Sequence, residues 1–377
     1  MGEVDSCSER AMREFVELVE PRSLPSFTGT IGSAHNSIGV LVHWKVVVVL
    51  MLTFWNPEVA MKFRDDHSLS PEEEQELKAT LAIQAREACP HGVDGHFHLD
   101  RTIETLYGSF PHHEASLDTL CLKSPPDETF KVLLDEGVAN FCDPQNFDSL
   151  TDDFLSELSE RGLWITVGLH PKHSHLGTPD NIARIQLLLD NPKVSGLGEI
   201  GLDFGDKPGR IKCQLKALDK LLPLVKGKDK VLVLHCRGAT KGAGVQTEPA
   251  VRMLLWALRT HCDSQQRIHF HCYSGDFALA QEWLGHFPNT MFGFTIMPTT
   301  RDMGAFAALD SARLILETDS PYFQFPQYPG KLSNYTTPFH IGMVASNLAE
   351  IRGMYWVELL DTCSANVRRL YSPTARN

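Results

Sequence analysis

The sequence is poor in several features that define whole classes of protein. Its nine cysteines are an odd set with no Cys-x-x-Cys pair, so free thiols in a reducing compartment are expected rather than a disulfide framework. The amino terminus lacks the basic and then apolar pattern of a secretory signal. These absences predict a protein of the cytoplasm, the nucleus or both.

Long apolar runs are also missing. The longest unbroken stretch near the amino terminus, Val46 to Leu52, is only about half of what a bilayer-spanning helix needs. Its four consecutive valines favour a buried strand, because β-branched side chains suit the pleated backbone. We therefore expect no stable association with a membrane.

Positive charge is scarce. The chain has 35 Lys and Arg residues and 47 Asp and Glu residues, which gives a formal net charge of -12. No overall field draws such a chain to nucleic acid, so any phosphate recognition must depend on a local cluster of cations. The glycine-rich segment 238–244 has no Gly-Lys-Ser/Thr ending, which argues against a nucleotide-binding loop. The apolar content of 42% is ordinary for a globular protein with a full core.

A change of pattern near residue 90 predicts a domain boundary. Ser70 and Pro71 have the form of a helix start, and the expected helix runs from about Pro71 to Ala88 until Pro90 and Gly92 break it. We divide the chain into an extension over residues 1–90, to which no function is assigned, and a main domain over residues 91–377.

Beyond this boundary, short apolar stretches alternate with segments of helical spacing, such as Asn181–Asp190 and Glu248–His261. Eight strands and their helices over roughly 280 residues predict an α/β fold, a (β/α)8 TIM-type barrel, whose active site lies where the strands end. An open doubly wound sheet is the alternative, but it gives no reason for polar residues to recur after so many strands. The expected strands are Val93–Phe97, Val138–Cys142, Leu163–Leu169, Val194–Glu199, Val231–Leu234, Ile268–Phe270, Met291–Thr295 and Leu314–Leu316.

Side chains that can bind metal follow many of these apolar stretches. Two histidines spaced two apart place both rings on one face of an extended strand, and imidazoles with carboxylates form a ligand set that divalent metals accept. His269 lies two residues before a ligand, so we expect it to support that ligand or to pack in the core. The candidate ligands, which predict a metallohydrolase, are His96, His98, Glu199, His235, His271 and Asp319.

Six motifs in order make the chain from about residue 92 to its end resemble the TatD-like deoxyribonucleases, of the amidohydrolase superfamily. Asn366 to Tyr371 also resembles the closing helix of that family. The motifs are His96-Phe97-His98-Leu99-Asp100, Gly168-Leu169-His170-Pro171, Gly198-Glu199-Ile200-Gly201-Leu202-Asp203, His235-Cys236-Arg237, His271-Cys272-Tyr273-Ser274-Gly275 and Glu317-Thr318-Asp319-Ser320-Pro321-Tyr322.

The resemblance implies a metal-dependent nuclease on a (β/α)8 barrel, often a 3'-5' exonuclease on DNA. It implies two divalent ions, with magnesium expected and manganese or zinc as alternatives. Glu199 and Asp319 would be the catalytic residues, since Glu199 can bridge two ions and Asp319 can orient the attacking water or take its proton. By motif, His96, His98, Glu199 and Asp319 would hold one ion, and Glu199, His235 and His271 the other.

A nucleic acid substrate, single-stranded DNA or RNA, needs cations near the mouth of the barrel. The four candidates each come soon after a strand, and the planar fork of Arg237 best suits two phosphate oxygens. The family often has a histidine directly after the proline of its third-strand motif, where this chain has Lys172 followed by His173, so that phosphate contact is expected to differ. The candidates are Arg101, Lys172, His173 and Arg237.

Two other functions fit the same residues. A barrel hydrolase of a small carbonyl substrate uses a similar metal cage to polarise C=O, but it predicts a narrow apolar mouth and often has a modified lysine where Glu199 stands. A non-catalytic scaffold keeps the barrel for partners and would be favoured by loss of a ligand. No ligand is lost in the sequence, and no protein partner can be named from it.

Overall fold

The computed structural model describes residues 89–205, 208–241, 244–296, 303–323 and 335–372. The strand expected at Val46–Leu52 and the helix expected at Pro71–Ala88 lie outside these residues. The domain boundary at residue 90 therefore stays a prediction. No helix in the described ranges is long and apolar enough to span a membrane.

Eight strands form one sheet in the order β1-β2-β3-β4-β5-β8-β9-β10, with every neighbouring pair parallel. A separate antiparallel pair, β6 and β7, follows β5. The bounds are β1 His91–Phe97, β2 Leu133–Phe141, β3 Leu163–Val167, β4 Val194–Asp203, β5 Val231–Arg237, β6 Ala239–Lys241, β7 Gly244–Gln246, β8 Ile268–Phe270, β9 Thr290–Phe294 and β10 Leu314–Leu316.

Helices connect successive strands of the sheet, and two more follow the last strand. Parallel strands need such crossovers, because the chain must return to the same end of the sheet before each new strand. The described helices are α1 Leu99–Tyr107, α2 Leu117–Lys123, α3 Asp152–Glu160, α4 Pro179–Asp190, α5 Ile211–Leu221, α6 Glu248–His261, α7 Phe277–His286, α8 Gly304–Ala308, α9 Ile341–Arg352 and α10 Trp356–Tyr371.

The two outer strands, β1 and β10, meet and bring the sheet close to a closed barrel. The Asp319 amide donates to the carbonyl of His96 at 2.9 Å, and the His98 amide donates to the carbonyl of Ser320 at 2.9 Å. Gly95 permits this approach, since a Cβ there would lie 2.7 Å from the carbonyl oxygen of Leu316. The predicted (β/α)8 barrel is confirmed.

Apolar side chains fill both sides of the sheet. One buried cluster includes Val93, Val138, Val233 and Ile315, and a larger one joins the sheet to the surrounding helices. Fully burying one such side chain contributes roughly 1.5–3 kcal/mol. Packing on both faces holds the strands rigidly, so their carboxyl ends have fixed positions at which side chains can converge.

Candidate active site

Five strands deliver the six candidate ligands to one end of the barrel. His96 lies in β1 and His98 caps α1, while Glu199 and His235 lie in β4 and β5. The imidazole of His96 stacks on that of His271 with 3.6 Å between ring centroids, and it meets the His98 ring edge-on at 5.0 Å. His271 directly follows β8, so residues far apart in sequence share one site.

Glu199 lies among the histidines, with only 1% of its surface exposed. Its Oε1 is 2.5 Å from Nδ1 of His235 and 3.7 Å from Nε2 of His271, while its Oε2 is 3.5 Å from Nε2 of His98. Nε2 of His170 is 3.8 Å from Oε1 as well. The two carboxylate oxygens therefore face different sets of imidazoles, which is the arrangement a bridging carboxylate needs.

Asp319 approaches the same site from the loop after β10. Its Oδ1 lies 3.3 Å from Nε2 of His98 and 3.7 Å from Nε2 of both His96 and His271. The carboxylate of Asp94 supports this loop, because Oδ1 accepts from the Thr318 amide at 2.9 Å and Oδ2 accepts from the Thr318 hydroxyl at 2.5 Å. Asp319 itself has a left-handed φ of 52°, so the loop is held in a conformation that residues other than glycine seldom adopt.

Several ligand atoms of the site are buried and lack a hydrogen-bond partner among the described residues. They include Nε2 of His96 and Oδ1 of Asp319, and such orphaned polar atoms are costly unless something binds them. A divalent cation satisfies nitrogen and carboxylate oxygen together. Four groups have all their ligand atoms within 4.8 Å of one another: His96 with His271 and Asp319; His96 with His98 and Glu199; His170 with Glu199 and His235; and His271 with Cys272 and Glu317.

Burial and neighbouring charges set the protonation of these groups. Burial, with the nearby His271 and His98, holds the pKa of His96 well below its ordinary value, so this imidazole is neutral with a lone pair to share. Burial likewise lowers the pKa of His170 well below its ordinary value. Burial alone would raise the pKa of Glu199, but His170 and His235 hold it well below the ordinary value. Burial alone would lower the pKa of His235, but Glu199 and Asp203 hold it above the ordinary value. Burial is likewise outweighed at His271, where Cys272 and Glu317 hold the pKa well above the ordinary value. These two imidazoles must therefore lose a proton before they bind a metal.

A family model described as TatD related DNase matches residues 93–372. The chain belongs to this family. The match covers every candidate ligand, from His96 to Asp319. The resemblance drawn from the sequence motifs is confirmed.

Two curated relatives illustrate the range of the TatD-related family. The human protein named 3'-5' RNA nuclease TATDN2 is 28% identical over 286 residues, which are 74% of this chain and 35% of the human protein. The chain thus matches about a third of that relative's length. The protein of Pantoea vagans named 3'-5' ssDNA/RNA exonuclease TatD is 25% identical over 222 residues, which are 58% of this chain and 81% of the relative.

Solved structures of TatD proteins share the fold. YJJV, a TatD homologue from Escherichia coli, aligns with a TM-score of 0.56 and 23% identity, covering 74% of this chain and 97% of that one. A TatD family hydrolase from Entamoeba histolytica aligns with a TM-score of 0.58 and 17% identity, covering 76% of this chain and 99% of that one. At these identities the comparison shows only that the folds are alike.

The structure brings all six predicted ligands of this TatD-related chain together, although their division between two ions stays a prediction. His170 joins Glu199 and His235 in one of the four groups, and the sequence reasoning did not select it as a ligand. The signal was present, since His170 lies in the Gly-Leu-His-Pro motif soon after β3, as His235 lies near the end of β5 and His271 directly follows β8.

The predicted phosphate-binding cations fall into two kinds. The guanidinium of Arg101 binds the Asp143 carboxylate through Nε at 2.6 Å and Nη2 at 2.9 Å, and Nδ1 of His173 lies 2.8 Å from the same carboxylate. Lys172 is half exposed with Nζ 3.9 Å from Oδ2 of Asp203. Arg237 ends β5 with an exposed side chain. Their role in binding substrate stays a prediction.

Three buried carboxylates near the site escaped the sequence reasoning. Asp143 forms an ion pair with Arg101 and lies 2.8 Å from Nδ1 of His173. Burial alone would raise the pKa of Asp143, but His173 and Arg101 hold it below the ordinary value. Burial alone would raise the pKa of Asp203, but His235 and Lys172 lower it to about 2. Glu317, two residues before Asp319, has its Oε1 3.1 Å from Nδ1 of His271. Asp203 and Glu317 stand within the quoted motifs and Asp143 directly follows an expected strand, but their contacts with ligands and cations form only in the folded barrel.

Proposed function

We propose that this chain is a metal-dependent hydrolase that cleaves phosphodiester bonds of nucleic acid. The observation that supports the proposal most strongly is the convergence of Glu199, Asp319 and their surrounding histidines at the carboxyl ends of the strands of a TatD-related barrel. Orphaned ligand atoms on His96 and Asp319 fit a site that binds cations. The alternative carbonyl hydrolase has no comparable support from a residue of this site.

The ligands divide naturally into two overlapping sets. His96, His98, Glu199 and Asp319 would hold one divalent ion, and Glu199 with His235 and either His271 or His170 would hold the other. Bound ions of this kind acidify a coordinated water and neutralise phosphate oxygens as negative charge develops. Magnesium is the proposed metal, and the number of imidazoles also suits manganese or zinc.

Glu199 and Asp319 have distinct tasks in this proposal. Glu199 is nearly inaccessible to solvent and its oxygens face imidazoles on both sides, so it bridges the two sets of ligands. Asp319 is more open, with 12% of its side chain exposed, and its φ of 52° directs it into the site from the rim. It is therefore placed to orient the attacking water or to accept its proton.

Single-stranded DNA or RNA is the proposed substrate, with 3'-5' exonuclease action. Support comes from the names of the human and Pantoea vagans relatives, which are a 3'-5' RNA nuclease and a 3'-5' ssDNA/RNA exonuclease. Arg237, Lys172, His173 and Arg101 are proposed to contact the strand. The free cysteines of the described residues agree with action in the cytoplasm, the nucleus or both.

Digestion of end-labelled single-stranded DNA and RNA by the full chain tests the proposal directly. We expect shortening from the 3' end in Mg²⁺ or Mn²⁺, and no cleavage after the metal is removed by EDTA. Glu199→Gln and Asp319→Asn should each lower kcat by at least about 1,000-fold, because each removes a charged group from the reacting centre. Labels at the 5' and 3' ends separate the two polarities.

The matched control is His113→Gln, since His113 is 86% exposed and lies away from the predicted ligands in sequence. It should cleave at the wild-type rate, and all variants should keep the wild-type circular dichroism spectrum. Cleavage that survives in both Glu199→Gln and Asp319→Asn would assign the activity to a contaminant. A metal-dependent turnover of p-nitrophenyl acetate without any nucleic acid cleavage would instead favour the carbonyl hydrolase.

A further inference from the structure

Below the candidate metal ligands, three buried polar side chains continue from His271 into the barrel. Glu317 and His269 have 0% of their surface exposed and Tyr371 has 3%. We call His271, Glu317, His269 and Tyr371 the polar column. A fully buried carboxylate is costly unless it is paired and hydrogen-bonded, so the contacts of Glu317 must explain why it lies there.

The Glu317 carboxylate is held on both of its oxygens. Oε1 accepts from the backbone amide of Cys272 at 2.5 Å and lies 3.1 Å from Nδ1 of His271, off the direction of a linear hydrogen bond. Oε2 lies 3.0 Å from Nε2 of His269. Two imidazoles and one amide thus surround the carboxylate, so it cannot rotate without losing a contact.

Gly293 in β9 lies against the same carboxylate. A Cβ at this position would be 2.3 Å from Oε2 of Glu317, a distance that no side chain tolerates. The neighbouring strand therefore leaves space for the carboxylate and closes it in from that side. The position of Glu317 depends on the shape of the barrel interior as well as on its hydrogen bonds.

The contacts restrict where the hydrogens of the two rings can lie. A hydrogen on Nδ1 of His271 would face Glu317, and a neutral ring would then leave Nε2 with a lone pair towards Glu199 and Asp319, each 3.7 Å away. Nε2 of His269 donates to Glu317, so its Nδ1 accepts from the hydroxyl of Tyr371 at 3.1 Å.

We propose that Glu317 is a positioning residue that fixes the tautomer and orientation of His271 for metal binding, and that His269 and Tyr371 hold Glu317 in place. The proposal rests on the metal site of the proposed function. Carboxylates that accept the second N–H of a ligating histidine raise its basicity and orient its ring. Here the support extends to Tyr371 in α10, so the last described helix takes part in the metal site from the opposite end of the column.

Calorimetric titration of the metal-free full chain with Mn²⁺ tests the column without any nucleic acid. We expect Glu317→Gln to weaken Mn²⁺ binding about 10- to 100-fold, as loss of such a supporting contact does elsewhere. Tyr371→Phe removes a hydroxyl that reaches Glu317 only through His269, so it should weaken Mn²⁺ binding by a smaller factor. Imidazole ¹⁵N spectra should show Nδ1 of His271 protonated in the wild type, and this signal should change in Glu317→Gln.

The matched control is Asn366→Ala, which alters a buried residue of α10 outside the column. Its side-chain amide donates to the carbonyls of Ser311 and Leu314 at 2.7 and 2.8 Å, so the variant should lose stability and keep wild-type affinity for Mn²⁺. Equal losses of Mn²⁺ affinity in Asn366→Ala and Glu317→Gln would show that Glu317 acts only through the packing of the fold, and would overturn the proposal.

Wild-type affinity and an unchanged His271 spectrum in Glu317→Gln would also overturn it. If Glu317→Gln does not fold, Tyr371→Phe is the deciding variant. It keeps the aromatic ring, whose centroid lies 5.7 Å from that of Trp164, and removes only the hydroxyl. Unchanged affinity of Tyr371→Phe for Mn²⁺ would overturn the proposal. If the wild-type chain binds Mn²⁺ but does not cleave nucleic acid, the proposed function is wrong and the role of Glu317 is still tested, because the titration measures metal binding without a substrate.

Discussion

The positively charged side chains near the mouth of the barrel differ in whether they already form an ion pair with a carboxylate. The Arg101 guanidinium is committed to Asp143 by two bonds, and breaking such a pair would leave a buried charge behind. Arg237 is exposed and forms no ion pair with a described residue. A phosphate can therefore bind Arg237 without displacing an existing partner, which makes Arg237 the better candidate of the two.

Arg237→Ala is accordingly expected to raise KM for single-stranded nucleic acid about tenfold, the effect of losing one charge-assisted hydrogen bond. The affinity for Mn²⁺ should stay at the wild-type value, because Arg237 is not among the grouped ligand atoms. Steady-state kinetics and calorimetry measure the two quantities. Arg259→Ala, an exposed arginine at the end of α6, is the control and should change neither; a parallel loss of Mn²⁺ binding in Arg237→Ala would make Arg237 structural.

Residue chemistry explains what the sequence revealed about the site. Ligands such as His235 and Asp319 follow apolar stretches, so the pattern of a strand and its polar end marked them. Asp143 and Glu317 follow apolar stretches as well, so the pattern alone did not show what they do; their contacts with Arg101 and His269 form only in the folded barrel. Pairing across strands is a tertiary property that one sequence does not contain.

At the scale of elements, strand cores were predictable and strand ends were not. Ile268–Phe270 and Leu314–Leu316 match the observed β8 and β10. The strand expected at Val194–Glu199 continues to Asp203 in the structure, and the one expected at Val138–Cys142 begins earlier, at Leu133. Both extensions consist of residues that pair with neighbouring strands, and backbone pairing leaves no hydropathy signal.

Helices without a strong apolar period were missed. The sequence predicted Glu248–His261, which is α6 as observed, and Asn181–Asp190, which lacks only the first two residues of α4. It did not predict α2, although Ser116 and Thr119 form a capping box there. A helix of seven residues depends more on its cap and on tertiary packing than on its own propensity.

The start of α9 contains a histidine whose charge state affects stability. His340 completes a capping box with Thr337, whose amide donates to Nδ1 of His340 at 3.1 Å. Burial lowers the pKa of His340 to about 4 from its ordinary value of 6.5. The unfolded chain therefore binds a proton at His340 more readily than the folded chain does. The contribution of the neutral His340 to the free energy of unfolding is fully present above about pH 6.5 and is lost as the pH falls towards 4.

From pH 7 to pH 5, protonation of His340 should lower the free energy of unfolding by about 2 kcal/mol. His340→Gln keeps a group that can accept from the Thr337 amide but does not titrate, so its free energy of unfolding should fall less over this range. Urea unfolding at both pH values gives the comparison. His286→Gln, at the end of α7, is the control; equal pH dependence in wild type and His340→Gln would show that His340 is not the responsible group.

At the scale of the whole molecule, the charge balance limits how nucleic acid can be held. The net charge of -12 repels a polyanion, and near the described mouth Arg101 and His173 are paired with Asp143. Arg237 and the half-exposed Lys172, whose Nζ is 3.9 Å from Asp203, would then supply most of the positive charge that the phosphates meet. Affinity should then come mainly from the metal site, with a small contribution from cations of the chain.

This balance predicts a weak dependence of binding on salt. Two phosphate contacts to a single strand give a slope of about -1.4 for the logarithm of the binding constant against the logarithm of salt concentration. Fluorescence anisotropy of a labelled single-stranded oligonucleotide with Glu199→Gln in EDTA measures this slope without cleavage or metal. Adding Arg237→Ala should reduce its size by about 0.7, while adding Arg259→Ala should leave it unchanged. A slope steeper than about -4 would contradict the prediction, because it would require several more cations on the strand than the described mouth provides.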